Sequence, residues 1–263
     1  MPSDPKNPLH TFDCAQEGGW DYLGGIDEAG RGALAGPVVA AAVLLRRDFY
    51  ESDACRELFG AINDSKQLPP PAREAAFERI IDLRENRSVL FATGCGSVGE
   101  IAERNILGAT SLAMRRALDS VLKGGGLPEP VAFCTDADEF PLVIEHQRAD
   151  QSVMEGNGTA IRIRLVIDGL PVKRFLYPHT GIVKGDGKSF AIAMASILAK
   201  VTRDRMMREL DAKYPVFGLA RHKGYGTRRH LDALREHGPC VHHRERFLRK
   251  FCLTMDESSR PVP

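Results

Sequence analysis

The chain has 263 residues, of which 43% are hydrophobic and 27% charged, and its formal net charge at pH 7 is +1. This composition is typical of an ordinary soluble globular protein. No apolar run approaches the roughly 18 residues of a membrane span, and the first residues lack the basic-then-apolar order of a secretory signal. We therefore expect a cytoplasmic protein without a membrane partner.

The six cysteines form no CxxC pair and are too sparse for a disulfide framework, which indicates a reducing compartment. Cys240 with His242 and His243 could begin a zinc site, but no second ligand pair follows at zinc spacing, which favours a structural cysteine.

The small net charge hides an asymmetry, because residues 161–250 hold 20 Lys and Arg against 8 Asp and Glu. A basic half favours a polyanionic partner, although a solvated helix surface explains it equally well.

The first half of the chain predicts strands followed by long helices. Residues 1–20 predict a disordered lead. Residues 24–45 predict two short strands joined by a glycine-rich turn, the second buried on both faces. A loop containing "NDSKQL" leads into a helix whose first turn holds Pro70 and Pro71, and "RSVLFATGCGSV" predicts a strand. "GEIAERNILGATSLAMRRALDSVL" predicts a long amphipathic helix that ends at the following glycines and prolines.

The second half begins with its least regular part, residues 127–160, which predict a surface insertion containing a hairpin. Residues 161–168, "IRIRLVID", predict a strand, and "KSFAIAMASILAKVTRDRMMRELDAKYP" predicts the strongest helix of the chain. A helical tail follows around "GYGTRRHLDALREHG". Strands interleaved with helices indicate an α/β or α+β domain over residues 21–212, followed by a helical extension over 213–263.

Acidic residues stand at the ends of apolar segments, where a buried strand would finish. Asp27 and Glu28 end the first strand, Asp168 closes "LVIDG", and Asp186 lies just before the long helix. Converging carboxylates repel one another, and Mg²⁺ or Mn²⁺ prefers such oxygen ligands. The four acids therefore predict a divalent-metal site with an open face.

Each of these acids also has a simpler interpretation. Asp168 fits an Asp-Gly turn, and Asp186 fits the N-cap of the long helix. Arg31 fits an ion pair with Asp27 or Glu28. Taken on their own, the residues leave the metal site and these structural roles open.

Six segments, in this order, match a known family: "GIDEAGRGALAGPVVAAAV", "NDSKQL", "RNILGATSLAMRRAL", "VIDG", "IVKGDGKSFAIAMASILAKVTRDRMM" and "HKGYGTRRHLDALREHG". Over roughly residues 22–126 and 161–248 the chain resembles bacterial ribonuclease HII. The resemblance implies a ribonuclease H-like fold, with a mixed central sheet flanked by helices and a helical C-terminal extension. It also implies an endonuclease that cuts the RNA of RNA–DNA hybrids and cuts 5′ of single ribonucleotides in duplex DNA, leaving 3′-hydroxyl and 5′-phosphate ends.

The resemblance also assigns site residues. It implies that catalysis and binding of Mn²⁺ or Mg²⁺ belong to the four acids, Asp27, Glu28, Asp168 and Asp186. Substrate contacts fall on seven residues: Gly30, Arg31, Gly32, Lys66, Lys188, Ser189 and Tyr225. Backbone groups of the glycine–arginine–glycine segment would sense the ribose 2′-OH, the lysines and Ser189 would contact phosphate, and Tyr225 would stack on a sugar. Tyr225 also fits a half-buried structural tyrosine.

The sequence departs from the family pattern in three places. Ala33 replaces a frequent proline, and the tail after residue 240 is more basic than usual, which leaves its contacts open. The insertion makes Asp136 a rival for the third acid; Asp168 is preferred because it precedes Asp186 by 18 residues, as in the family. A DNA-resolving nuclease on the same fold and a non-catalytic nucleic-acid-binding protein remain alternatives. In each case we expect a monomer whose partner is nucleic acid.

Overall fold

The computed structural model describes residues 7–62, 68–85, 88–124, 127, 131–134, 142–144, 160–173 and 175–251. The strands in these ranges are β1 Tyr22–Ala29, β2 Val38–Arg46, β3 Val89–Gly96, β4 Val131–Cys134, β5 Leu142–Ile144, β6 Ile161–Asp168 and β7 Thr180–Ile182. The helices are α1 Pro8–Cys14, α2 Asp53–Ala61, α3 Pro70–Asp82, α4 Val98–Gly124, α5 Phe190–Lys213, α6 Leu219–His222, α7 Arg228–His237 and α8 Glu245–Leu248. None of these described helices is long and apolar enough to cross a membrane.

One mixed sheet contains the seven strands of the described residues, in the order β3-β2-β1-β6-β4-β5, with β7 beside β6. β1 runs antiparallel to β2 and parallel to β6, so the carboxyl ends of β1 and β6 lie at the same edge. Successive side chains point to opposite faces. Val43 and Leu45 of β2 accordingly enter one core cluster, and Ala42 and Leu44 enter the other. The predicted sheet with helices on both faces is confirmed.

Helix α5 covers one face of the sheet and helix α4 covers the other. Most of residues 190–201 are buried, as expected for a helix that is apolar on all sides. α5 crosses β1 at Gly25, where a Cβ atom would overlap the backbone of Ala191. α4 approaches β3 in the same manner at Gly94, so glycines in the strands set both close approaches.

Helix α4 is a single predicted element that the structure divides. Its backbone breaks at Asn105, whose φ of 60° and ψ of 173° are not helical. The Asn105 side-chain oxygen then accepts hydrogen bonds from the N–H groups of Leu107 and Gly108, at 2.9 and 3.2 Å. Asn105 therefore ends a short first helix and caps the long second one.

The C-terminal helices form a third apolar cluster with the segment that follows β1. Its buried members are Leu34, Ala35, Met207, Phe217, Leu219, Leu234, Cys240 and Leu248. The cluster joins the C-terminal helices to the sheet through the loop between β1 and β2. Helices α6, α7 and α8 follow α5 in the described residues, which end at residue 251, as expected for a helical C-terminal extension; its expected bounds, 213–263, stay a prediction.

The prediction of disorder over residues 1–20 is wrong for the part that the structure describes, which begins at residue 7. Pro8–Cys14 forms α1, whose N-terminus is capped by the Asn7 side chain. Leu9 and Trp20 are buried in the cluster that surrounds α5. The cause is tertiary packing, because α1 has seven residues, too few to form a stable helix alone.

The insertion over residues 127–160 is not confined to the surface. β4 pairs in parallel with β6, which makes it a strand of the central sheet, and Phe133 is fully buried. β5 pairs antiparallel with β4, so the expected hairpin is present and extends the sheet at the edge. Asp136, the rival third acid, lies outside the described residues.

Candidate active site

The first and third acids emerge side by side because their strands are parallel neighbours. Ile26 of β1 lies opposite Ile167 of β6, and the next residue on each strand is an acid, Asp27 and Asp168. Side chains at the carboxyl ends of adjacent parallel strands meet at one edge of the sheet. Asp27 is 4% exposed, whereas Asp168 is partly exposed. The predicted convergence of these two acids is therefore present.

The environment of Asp27 opposes a negative charge. Burial raises the pKa of Asp27 well above its usual value, and the charges of Glu28 and Asp168 raise it further. Two hydrogen bonds act in the opposite direction, one from the Ser196 side chain and one from the Glu28 N–H, whose nitrogen lies 2.7 Å from Asp27 Oδ1. The site therefore favours uptake of a positive charge, either a proton or a cation.

The fourth acid lies in the short turn between β7 and α5. Asp186 is buried in the 3₁₀ turn Gly185–Gly187, and the Gly185 N–H donates to Asp168 Oδ1 at 2.6 Å. This bond ties the third acid to the turn that carries the fourth. The N-cap role considered for Asp186 belongs instead to Ser189, whose side chain accepts from the Ile192 N–H.

The acids adjoin one another without forming a closed metal cage. Across the ranges that the structure describes, no group of three or more His, Cys, Asp or Glu side chains is arranged so as to hold a metal ion. The donor chemistry nevertheless fits Mg²⁺ or Mn²⁺, because all four candidate ligands are carboxylates and a divalent cation would relieve the repulsion at Asp27.

The glycine–arginine–glycine segment leads directly away from the acids. Arg31 Nη1 donates to Glu28 Oε1 at 2.9 Å, so the structural ion pair considered from the sequence is present. Gly30 has a φ of +95° and lies so close to Arg203 that a Cβ atom would overlap that side chain. This position therefore requires glycine on both conformational and steric grounds.

Tyr225 meets this segment from the C-terminal extension. Its ring carbon Cε1 lies 4.0 Å from the point where Gly32 would carry a Cβ atom. Tyr225 is 39% exposed, and the Arg203 guanidinium carbon lies 5.6 Å from the centre of its ring. Two segments that are far apart in the sequence thus form one surface beside the acids.

The three remaining predicted substrate contacts, Lys66, Lys188 and Ser189, have different outcomes. Lys66 lies outside the described residues. Lys188 is exposed at the start of α5, where a phosphate could approach it. Ser189 is fully buried and its side chain caps α5, so the structure gives it a capping role in place of the expected phosphate contact.

A groove of about 820 Å³ opens from the acids between α4 and the loop after β6. Its lining includes the candidate site residues Glu28, Arg31 and Asp168. The rest of its lining adds positive charge and exposed apolar surface, from Arg104, Leu107, Arg115, Leu170, Lys173 and Leu176. A groove with this chemistry suits the charged backbone and the sugars of a nucleic acid.

The candidate zinc residues instead form part of a buried packing cluster. Cys240 Sγ lies 3.2 Å from His243 Nδ1, and the Nε2 atoms of His243 and His230 are 3.0 Å apart. His242 packs edge-on against the ring of Tyr214. These contacts support the structural role that the sequence favours for Cys240.

Sequence reasoning missed several residues that shape the site. Ser196 contributes a hydrogen bond to Asp27, and Arg203 lies buried beneath Gly30. The available signal was a polar residue on an apolar helix face: Arg203 lies four residues from each of two fully buried positions, Ala199 and Met207. Arg244 is also buried, and in the sequence it is one of several basic residues in the tail.

Comparison with known proteins identifies the family. The family model described as Ribonuclease HII matches residues 24–129 and 166–252. Ribonuclease HII of Acetivibrio thermocellus is 39% identical over 239 residues, which are 90% of this chain and 73% of that protein. Ribonuclease HII of Fusobacterium nucleatum subsp. nucleatum is 37% identical over 255 residues, which are 97% of this chain and 96% of that protein.

Solved structures share the fold. Ribonuclease H2 of Pyrococcus horikoshii OT3 aligns with a TM-score of 0.59 and 23% identity, covering 87% of this chain and 96% of that one. The RNase HII of the PCNA:RNase HII complex from Archaeoglobus fulgidus aligns with a TM-score of 0.56 and 23% identity, covering 86% and 94%. Bst-RNase HIII in complex with Mn²⁺ aligns with a TM-score of 0.52 and 17% identity, covering 86% and 65%. The family model and the curated relatives span most of the sequence, and the chain belongs to the ribonuclease HII family.

Proposed function

We propose that this protein, a ribonuclease H acting on RNA–DNA hybrids, also cuts duplex DNA on the 5′ side of a single embedded ribonucleotide. Cleavage leaves 3′-hydroxyl and 5′-phosphate ends. One observation carries the proposal: the surface formed by Gly32 and Tyr225 lies next to an acidic strand end, with Arg31 bridging to Glu28. A site built in this way combines phosphodiester chemistry with access to the sugar.

Asp27, Glu28, Asp168 and Asp186 would hold Mg²⁺ or Mn²⁺. When bound, such an ion lowers the pKa of a water molecule and stabilises negative charge on the reacting phosphate. The Mn²⁺ complex of the structurally similar Bst-RNase HIII supports this assignment. The protein's own part is to orient the ligands, Asp27 through Ser196 and Asp168 through the Gly185 N–H.

Recognition of RNA rests on the ribose 2′-OH, the group that distinguishes RNA from DNA. Backbone groups of residues 30–32 would sense this hydroxyl, because glycines let the chain approach a nucleotide closely. Tyr225 would stack on the neighbouring sugar. Arg31, Lys188 and Lys66 would contact phosphates, and Arg31 would exchange its bond to Glu28 for one of them.

The duplex beyond the cut would occupy the groove between α4 and the loop after β6. Charge complementarity supports this placement, since Arg104, Arg115 and Lys173 line the groove together with the exposed Leu107 and Leu170. We expect a monomer to suffice, because the proposed catalytic and sugar-contacting residues belong to one chain. The cytoplasmic location expected from the sequence stays a prediction.

The decisive experiment compares two labelled duplexes, one all-DNA and one with a single ribonucleotide, incubated with Mg²⁺, Mn²⁺ or chelator. The expected result is one cut on the 5′ side of the ribonucleotide, absent from the all-DNA duplex and abolished by chelator. A long RNA–DNA hybrid serves as the positive control, because the family activity alone accounts for its cleavage.

Each other outcome changes the assignment. Cutting of both duplexes would identify a general DNA nuclease on the same fold. Cutting of the hybrid but not of the single-ribonucleotide duplex would confine the activity to RNA tracts. Tight binding without cutting under any metal would mean that the four acids do not form a catalytic site.

A further inference from the structure

Two buried arginines lie beneath the loop that carries Gly30, Arg31 and Gly32. Arg203 of α5 is 0% exposed, and Arg244, which immediately precedes α8, is 2% exposed. Removing a guanidinium group from water is unfavourable, and burial lowers the pKa of both side chains. The hydrogen-bond partners of Arg203 and Arg244 therefore indicate why these two side chains are buried.

The Arg203 guanidinium bonds to backbone carbonyl oxygens. Its Nε and Nη2 donate to the oxygens of Pro37 and Ala35, at 2.9 and 3.1 Å. Its Nη1 donates to the oxygen of Lys223, two residues before Tyr225, at 3.0 Å. Arg203 thereby holds the loop after β1 against the turn that carries Tyr225.

Arg244 bonds to the same loop, nearer to its sugar-contacting end. Its Nε donates to the Gly36 oxygen at 2.9 Å and its Nη1 to the Arg31 oxygen at 3.0 Å. Two backbone bonds fix the tail beside the loop, from the Arg244 N–H to the Leu34 oxygen at 2.7 Å and from the Gly36 N–H to the His242 oxygen at 2.8 Å. The guanidinium of Arg244 thus acts from a fixed position.

The bond to the Arg31 oxygen determines the direction of the next N–H group. The C=O and N–H of one trans peptide point in opposite directions. Because the Arg31 carbonyl points inward to Arg244, the Gly32 N–H points outward. Gly32 is exposed, and the Tyr225 ring lies beside it.

We propose that Arg244 is a positioning residue for 2′-OH recognition, because it turns the Arg31 carbonyl inward and so presents the Gly32 N–H to the ribose. The inference rests on the proposed function, in which this segment senses the sugar. Arginine suits the role because its planar fork reaches two carbonyl oxygens at once, which the single ammonium of lysine on a flexible stem does less well. The remaining nitrogen, Nη2, is buried with no hydrogen-bond partner in the described residues, so the arrangement is not optimised for stability alone.

The test is a thermodynamic cycle that combines substitution of the Arg244 side chain with removal of the 2′-hydroxyl from the duplex. Dissociation constants are measured in chelator, so that neither cleavage nor metal contributes, for a duplex with one ribonucleotide and for the matched all-DNA duplex. The wild type is expected to bind the ribonucleotide duplex about fivefold to tenfold more tightly, as one hydrogen bond allows. Arg244→Gln is expected to bring this ratio close to one, and Arg244→Lys is expected to give an intermediate ratio.

The matched control is Arg246→Gln, which removes an exposed positive charge from the same tail and is expected to weaken both affinities by one common factor. Thermal unfolding shows whether each variant is folded; if Arg244→Gln is not, Arg244→Lys supplies the ratio. A ratio that survives in the Arg244 variants, even with both affinities reduced, overturns the inference and leaves a merely structural role.

The same experiment separates this inference from the proposed function. A wild type that binds both duplexes equally in chelator, yet cuts only at the ribonucleotide with Mn²⁺, overturns the role of Arg244 and preserves the function. A wild type that neither prefers nor selectively cuts the ribonucleotide duplex overturns both.

Discussion

At the scale of single residues, Asp27 shows the conflict between burial and charge most directly. Its carboxylate is buried beside two further acids, which raises its pKa. Asp27→Asn keeps the shape and removes the charge, so we expect the unfolding midpoint in chelator to rise. Cleavage should fall about a thousandfold or more, since loss of a metal ligand forfeits several kcal/mol of transition-state stabilisation. Thermal unfolding and single-turnover cleavage measure the two effects.

The comparison with metal completes this test. Mn²⁺ should raise the unfolding midpoint of the wild type but not that of Asp27→Asn, because ligand binding stabilises only the form that binds. Asp232→Asn, at an exposed acid of α7, is the control and should keep the response to Mn²⁺. A lower midpoint for Asp27→Asn in chelator, or loss of hybrid binding together with cleavage, would contradict a metal-holding role.

The sequence predicts some site residues and not others for a physical reason. Asp27, Glu28 and the glycine–arginine–glycine segment form one contiguous motif whose chemistry is visible in the residues themselves. Arg203 bonds to the carbonyl oxygen of Pro37, which lies 166 positions earlier in the chain, and Arg244 bonds to that of Arg31, which lies 213 positions earlier. The position of Arg203 on an apolar helix face signals that it is buried, and Arg244 is one basic residue among several in the tail, but neither pattern identifies the carbonyl groups that the side chains contact.

At the scale of elements, α1 and α5 are joined by a buried carboxylate. Asp13 Oδ2 accepts from the Tyr50 hydroxyl at 2.9 Å and from the Ala191 N–H at 3.0 Å, and Ser189 adds a further hydrogen bond. Burial outweighs these bonds and raises the pKa of Asp13 from 3.8 to about 7. Asp13 of α1 thus fixes the first turn of α5, which begins two residues after Lys188.

This carboxylate predicts an unusual dependence of stability on pH. The unfolded chain releases the Asp13 proton near 3.8 and the folded chain near 7, so between these values the folded state binds more protons. The contribution of Asp13 is therefore present at low pH and lost as pH rises to about 7. Asp13→Asn should stabilise the protein relative to wild type by a few kcal/mol more near about pH 8 than near about pH 5. Urea unfolding at the two pH values measures the difference.

Asp53→Asn, at an exposed acid of α2, is the matched control for this prediction. It should change the free energy of unfolding by nearly the same amount at both pH values. An Asp13→Asn difference no larger than that of the control would show that Asp13 is ionised in the folded protein. Tyr50 and Cys55 also lie near Asp13, and their raised pKa values keep them neutral over this range.

Periodicity predicts the long elements, but it predicts neither α1 nor the place of β4 in the central sheet. α3 begins at Pro70 as expected, and α5 spans Phe190–Lys213 within its predicted segment. α1 is stabilised by contacts with distant residues instead of by its own propensity. β4 has four residues inside an irregular stretch, so only its pairing with β6 reveals it as part of the sheet.

At the scale of the whole molecule, the uneven charge distribution predicts how binding depends on salt. Arg104 and Lys173 line the groove that leads from the acids, and each should neutralise one phosphate. Replacing both by Gln should reduce the slope of log Kd against log salt by about 1.8, since each contact contributes roughly 0.9 on duplex DNA. Fluorescence anisotropy over a series of salt concentrations measures the slope.

A charge on the other side of the sheet supplies the control. Arg56 lies on α2, which packs on the face opposite α4, and its substitution by Gln should leave the slope unchanged. An unchanged slope in the Arg104 and Lys173 double variant would mean that the duplex runs elsewhere. The basic segment 161–250 predicts a polyanionic partner, but only the fold shows that Arg104, which lies outside that segment, lines the same groove as Lys173.

The close crossing at Gly25 has a consequence for how such a protein can diverge. The distance between β1 and α5 is set where backbone meets backbone, so it does not depend on the size of any core side chain. The distance between β1 and α5 also sets the distance between the acid at the end of β1 and the turn that precedes α5. We therefore expect substitutions of core side chains to leave the distance between the candidate acids of β1 and the turn before α5 unchanged, as long as position 25 remains glycine.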